Sequence, residues 1–280
     1  MWLNGMKSIY KKFMANIRPI GQIIGLVAVL LLPSLMNVSD KVEKQPELNA
    51  SQDFKDYIFY FLWNKGNVAI GIFMFVLAAF IIRKWNKEYM FNRGDEYKNY
   101  PYFWYWICAK LLGYSECNLI LVPIYMQFKL VLRDTFCRYY CGELDKKTDD
   151  IVSVQKTNSK DTSNEINIII SDTYPLQEGQ IPIGKRSKPT IHISRDNETD
   201  HNRYDSPELV RNVVNEVRNL PANIKKINIY ATTNPYNTKR IVQNAFKLGE
   251  RSSIDLIIVF QQERTGNRKF EKKGKVVYKR

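Results

Sequence analysis

Two uncharged apolar runs in the first third of the chain set the strongest limit on how it can fold. Pro19 to Ser39 contains no charged side chain and centres on Ile23, Ile24, Leu26, Val27, Val29, Leu30, Leu31 and Leu32. Gly66 to Ile82 is a second such run, carrying Ile70, Ile72, Phe73, Met74, Phe75, Val76, Leu77, Phe80, Ile81 and Ile82. A helix rises about 1.5 Å per residue, so about 20 residues cross a hydrocarbon core of roughly 30 Å. The pair predicts two membrane spans, at residues 19–38 and 66–82. The second is at the short end of the range; Lys65 can snorkel to the interface, and Tyr57 to Trp63 extends the apolar surface or lies along the membrane. A cleaved signal peptide is the alternative for the first run. Against it, no small-residue cleavage site follows the run, and a second span comes soon after.

The basic residues predict the topology. Lys7, Lys11, Lys12 and Arg18 precede the first span, and Arg83, Lys84, Lys87 and Arg93 follow the second, so both flanks are expected in the cytoplasm. The connecting segment Asp40 to Asp56 holds Asp40, Glu43, Glu47, Asp53 and Asp56 against Lys41, Lys44 and Lys55, which suits the far side. The expectation is a multi-pass protein of a cell inner membrane with both termini cytoplasmic. Residues 1–95 form the transmembrane hairpin.

Residues 96–141 read as a connector. Tyr100-Pro101-Tyr102-Phe103-Trp104-Tyr105-Trp106 suits headgroup depth, where ring bodies and polar edges are both satisfied. Asn118 to Phe128 is apolar but interrupted by Pro123 and Gln127. Interfacial or packed helices are the first reading here; two short extra spans, or a piece of soluble core, are the others. Cys108, Cys117, Cys137 and Cys141 all fall in the connector, on the reducing side. Cys137 and Cys141 have helical spacing but make only two ligands, and His192 and His201 are distant, so free thiols are expected and no metal site.

Gly142 to Glu165 turns to Lys, Asp, Thr, Ser and Asn, which marks residues 142–164 as a linker with one short strand near Ile151 to Val154. Beyond it, Glu165 to Ser171, Pro189 to Ser194, Lys226 to Ala231 and Ile254 to Phe260 read as strands. Ser206-Pro207-Glu208 opens one helix, with Leu209, Val210, Val213, Val214 and Val217 inward. Asn234-Pro235 opens another, with Ile241, Val242, Ala245, Phe246 and Leu248 inward and Gly249 closing it. Lys275 to Tyr278 is a last edge strand. Near-continuous apolar strands alternating with helices predict a parallel sheet covered by helices, a Rossmann-like α/β domain over residues 165–280.

In such sheets ligands bind beyond the carboxyl ends of the strands. That edge collects Ser171, Asp172, Thr173 and Tyr174, then Arg195, then Thr232, Thr233, Tyr236, Asn237, Lys239 and Arg240. Lys239, Arg240 and Arg195 supply charge and Tyr236 or Tyr174 stacking, a set suited to a ligand with phosphates and bases. The alternative for each residue is an ordinary turn or cap, and Ser206 and Asn234 fit caps better than ligands. A net charge of +14 permits an anionic partner, either lipid headgroups or a phosphate-bearing ligand, but basic flanks alone can account for it. No nucleophile elbow, phosphate-binding glycine loop, dinucleotide fingerprint or zinc-protease motif appears, so no catalytic residue and no cofactor is assigned, and the chain is not expected to be an enzyme. His192 lies within a strand, where packing is its expected role.

The run Ile227-Asn228-Ile229-Tyr230-Ala231-Thr232-Thr233-Asn234-Pro235, its helix to Leu248-Gly249 and the strand Ile254 to Phe260 resemble the last strand–helix–strand unit of SAVED domains. Those are CARF-related, Rossmann-like sensors of cyclic oligonucleotides in bacterial CBASS antiphage systems. The resemblance implies a cyclic-oligonucleotide ligand near Asn234 and Pro235 and a membrane effector fused to its sensor. A full SAVED domain holds two CARF-like halves, whereas this chain has room for one, so the second would come from another subunit of a homo-oligomer. Ligand binding would then gather the hairpins, which disrupt the membrane or form a pore. A scaffolding subunit of a secretion or conjugation apparatus and a membrane-anchored enzyme acting on nucleotides are the competing readings.

Overall fold

The computed structural model describes residues 14, 16–38, 65–94, 96–147, 150–158, 163–195, 203–247, 253–263 and 266–280. The acidic connecting segment Asp40 to Asp56, Tyr57 to Trp63, Lys7, Lys11, Lys12, His201 and the Leu248-Gly249 helix end lie outside them. The chain divides into two compact units, residues 1–94 with 106–116, and residues 95–105 with 117–280.

In the first unit, α1 (Ile17–Leu35) and α2 (Gly66–Asn86) have 19 and 21 residues, so their lengths are about 28 and 31 Å, enough to cross a bilayer core. Each is apolar on nearly every side, and Ile24, Val27, Leu31, Phe73, Val76 and Phe80 are exposed, as lipid-facing side chains are. α2 runs four residues past the uncharged stretch. Arg83 and Lys84 fall in its last turn, where cations suit the negative end of the helix dipole. Pro19 sits in the first turn of α1, whose N–H groups have no helical partner in any case.

Two devices hold the pair together. Gly71 approaches the backbone carbonyl of Leu30 so closely that any Cβ would overlap it. Small residues permit such close packing where lipid removes the hydrophobic drive between helices. At the other end, Asn86 and Gln22 exchange side-chain hydrogen bonds of 2.9 Å each way. Asn86 Nδ2 also donates to Leu112 O at 2.9 Å, and Arg18 Nη2 donates to Asn86 Oδ1 at 3.1 Å.

The second unit is built on a six-stranded sheet: β1 (Val152–Thr157), β2 (Glu165–Ser171), β3 (Thr190–Arg195), β4 (Lys226–Ala231), β5 (Leu256–Phe260) and β6 (Lys275–Lys279). Their spatial order is β1-β3-β2-β4-β5-β6. The four central strands are parallel, and β1 and β6 close the edges antiparallel. The central strands are runs of Ile, Val and Tyr because both of their faces are covered.

Along the chain, α3 (Tyr102–Trp106) and α4 (Ile124–Leu132) precede the sheet, α5 (Ile183–Arg186) and α6 (Pro207–Arg218) lie within it, and α7 (Pro235–Ile241) runs into a π-helical turn, Val242–Phe246. Both sequence-read caps form: Ser206 accepts from the Leu209 N–H at 3.2 Å and Asn234 from the Asn237 N–H at 2.9 Å. The α/β unit begins well before residue 165. α4 buries Met126, Phe128, Leu130 and Val131 and packs on α7, β5 and β6, with the Phe128 and Phe246 rings 5.9 Å apart. Nine residues reach about 14 Å, so α4 cannot cross a bilayer.

One polar pair interrupts this core. Asn167 and Asn228 are opposite each other on β2 and β4 and fully buried. Asn228 Nδ2 donates to Asn167 Oδ1 at 3.0 Å and to Glu165 Oε1 at 2.6 Å, and Asn167 Nδ2 donates to Lys185 O at 2.8 Å. Burial alone would raise the Glu165 pKa, but Lys185, Asn228 and Lys226 bring the carboxyl down to about 2 from an ordinary 4.5. A depressed acid stabilises the fold above its unfolded pKa. That contribution is expected to be complete above about pH 4.5 and to fade as pH falls towards 2. Thermal melts across that window should show wild type losing stability more steeply than Glu165→Gln; parallel slopes would mean that the carboxylate is not the titrating group.

Candidate functional site

The strand order places a topological switch at β2. The chain leaves β2 for β3 on one side and returns to β4 on the other, opening a crevice between the carboxyl ends of β2 and β4. The residues picked out in the sequence follow these strand ends or lie in α7, and several of them join one buried network.

The floor is a buried polar network around Asp172, whose side chain is fully buried. Its Oδ2 accepts from the Asn234 N–H at 3.1 Å, from Asn234 Nδ2 at 3.0 Å and from Asn237 Nδ2 at 2.9 Å. Its Oδ1 lies 3.1 Å from Arg195 Nε, and both side chains are 0% exposed. Asp150 adds a second carboxylate 3.7 Å from the same guanidinium. Burial pushes the Asp172 pKa up by more than Asn237, Asn234 and Arg195 pull it down, and Asp150 adds to the rise. Arg195 and Asn237, read from sequence as ligand contacts, are thus committed to the floor, and Asn234 is both cap and network member.

Hydroxyls complete this layer. Ser171 Oγ lies 2.8 Å from His192 Nε2 and accepts from the Leu176 N–H at 3.1 Å. Burial lowers the His192 pKa, slightly opposed by Glu178, which suits a neutral imidazole packed on that serine. Thr173 donates to Thr232 O at 2.5 Å, Thr232 to Tyr174 O at 3.0 Å, and Thr233 and Thr238 share a hydrogen bond of 2.6 Å.

The rim is more open. Tyr174, Tyr236 and Lys239 are half-buried, and the Arg268 guanidinium stands 4.6 Å from the centre of the Tyr174 ring. Lys239 Nζ lies 3.5 Å from Tyr139 O. Arg240 is paired with Asp205, so its charge is partly spent within the fold. A rim of rings and cations over a rigid floor can stack a base and take phosphate oxygens. Among the described residues no group of three or more His, Cys, Asp or Glu could hold a metal ion.

Sequence reasoning missed Asp150 and Arg268. Asp150 lies in the polar stretch read as linker; only the register, which sets Val152 against Arg195, shows why an acid two residues earlier reaches that arginine. Arg268 comes from the basic tail, which carries no motif.

The family described as SMODS- and Ubiquitin system-associated 2TM effector domain matches residues 5–277. No curated protein matches the chain. Among solved structures, the Acinetobacter baumannii Cap4 SAVED/CARF-domain containing receptor with the cyclic trinucleotide 3'3'3'-cAAA is similar at a TM-score of 0.41 and 9% identity, over 60% of this chain and 40% of that one. The same receptor with 2'3'3'-cAAA gives 0.41 and 8%, over 61% and 40%. The match therefore spans two fifths of the length of those receptors.

Proposed function

Because the chain belongs to the SMODS- and Ubiquitin system-associated 2TM effector family, we propose that it is a membrane effector of bacterial antiphage defence whose α/β domain binds a cyclic nucleotide second messenger. The observation that carries the ligand reading is the strand switch at β2–β4, where the half-buried Tyr174, with Arg268 stacked on it, follows β2, and the half-buried Tyr236 and Lys239 stand in α7 after β4, beside the buried Asp172 network. Cations there take phosphate oxygens and rings take bases, while the floor fixes the backbone beneath them. Both termini lie in the cytoplasm of the inner membrane, as the basic flanks direct.

One crevice per chain makes half of a cradle, and two chains facing each other enclose a cyclic ligand. Joining the α/β domains raises the effective concentration of the hairpins, which then assemble and permeabilise the bilayer. The chain performs no chemistry in this reading. Binding energy alone shifts it from dispersed to assembled.

The test is a thermal-shift screen of the full-length protein in detergent, against cyclic di- and trinucleotides at one fixed salt concentration. A ligand at about 100 times its Kd stabilises the folded state by about 2.7 kcal/mol. One compound should shift the transition selectively. Tyr236→Ala and Lys239→Ala should each weaken that compound about tenfold without moving the ligand-free melting temperature. A folded protein that answers to none of the panel, in the oligomeric as well as the dispersed state, would overturn the sensor reading.

A further inference from the structure

The first unit holds a cavity of about 270 Å³ at the mouth of the hairpin, beside the start of α1 and just beyond the end of α2. Its lining divides by chemistry. Ile17, Met90 and Phe91 give an apolar wall, and Arg18, Arg93 and Tyr89 a polar, basic one. Among the described residues that line it, none is acidic.

Arg18 is held in place. Its guanidinium lies 3.5 Å from the centre of the Tyr89 ring, and Nη2 donates to Asn86 Oδ1 at 3.1 Å. A guanidinium has five N–H donors in a planar fork, so these two contacts orient the fork without exhausting it. Arg93 enters the same cavity from the segment after α2 and is exposed.

Position supplies the rest. The apolar stretches of both helices end at this mouth, which sets it at the depth of the lipid headgroups. We propose that the mouth of the hairpin is a site for the headgroup of an anionic phospholipid. The phosphate sits between Arg18 and Arg93, and the glycerol backbone lies on Ile17, Met90 and Phe91. A soluble phosphate would have no use for the apolar wall, whereas a lipid needs both walls at once. The site is independent of the nucleotide reading, since every residue in it belongs to the membrane unit.

Native mass spectrometry of the full-length protein in detergent tests this with three probes: a phosphatidylglycerol, a phosphatidylcholine of the same chains, and glycerol phosphate. Wild type should retain phosphatidylglycerol about tenfold better than phosphatidylcholine, as one or two charge-assisted contacts to phosphate would give. Arg93→Gln should abolish that preference. Lys84→Gln, which removes an exposed charge of α2 outside the cavity lining, should leave it intact. Arg18 also ties to Asn86, so Arg93 carries the test without risk to the helix pair. Equal retention of the two lipids overturns the site. So does an equal loss in Lys84→Gln, which means diffuse charge attraction. Glycerol phosphate binding as well as the lipid overturns the lipid as its occupant.

Discussion

Asp172→Ala is expected to destabilise the α/β domain strongly, not simply to weaken its ligand. The carboxylate joins the ends of β2 and β3 to the start of α7, through Arg195 on one oxygen and through Asn234 and Asn237 on the other. Its removal leaves a guanidinium with 0% exposure whose remaining carboxylate is Asp150 at 3.7 Å, with Nη2 still donating to the backbone carbonyl of residue 172. Breaking a buried ion pair by deleting one partner costs about 3–5 kcal/mol. Domains are stable by about 5–15 kcal/mol, so this is a large part of the whole. Urea unfolding of the full-length protein in detergent, followed by the loss of β-sheet circular dichroism, reads it. Asp172→Asn keeps the shape but sets an N–H₂ group against donors or the cation, and should fall between wild type and alanine. A loss below about 1 kcal/mol for alanine would mean that water already reaches the floor.

The second large effect is expected in the membrane. Gly71→Ala adds one carbon where the Leu30 carbonyl oxygen already lies, and backbone cannot swing aside as a side chain can. α1 and α2 must separate or slide, costing about 1–3 kcal/mol of overpacking. Gly25→Ala, by contrast, meets nothing within 4 Å and should be neutral or stabilising, because alanine favours a helix over glycine by about 1 kcal/mol. The pair of variants separates a packing requirement from a general intolerance of change in the span. Thermal unfolding in detergent should order them Gly25→Ala at or above wild type and Gly71→Ala below. If both fall equally, the close crossing at Leu30 is not what holds the hairpin.

Local signals were the legible ones. Ser206-Pro207 and Asn234-Pro235 start helices because a cap side chain and a fixed proline φ act within a few residues, and both caps form with the bonds expected of them. The parallel core was readable from apolar runs such as Ile254 to Phe260, since a strand buried on both faces cannot alternate. What depends on distant partners was hidden. Residues 118–128 look like a broken span because Pro123 interrupts them, yet that proline is the N-cap position of α4, a helix that covers the sheet. Arg195 looked like a ligand cation because nothing near it in sequence reveals Asp172 and Asp150 waiting across the sheet edge.

The buried Asn167–Asn228 pair bears on a different problem, the choice among near-identical partners. β2, β4 and β5 are so rich in isoleucine and valine that burial energy distinguishes poorly between one neighbour and another, or between a strand of the same chain and one of an adjacent copy crowded on the same membrane. Asn228 Nδ2 reaches Asn167 Oδ1 only when β2 lies beside β4 in the register that sets residue 167 against 228. Any other pairing would strand two amides in hydrocarbon surroundings, at a penalty that no extra isoleucine contact recovers. Two asparagines thus act as a pass-code for strand assembly, favouring the β2–β4 pairing over its near-identical alternatives.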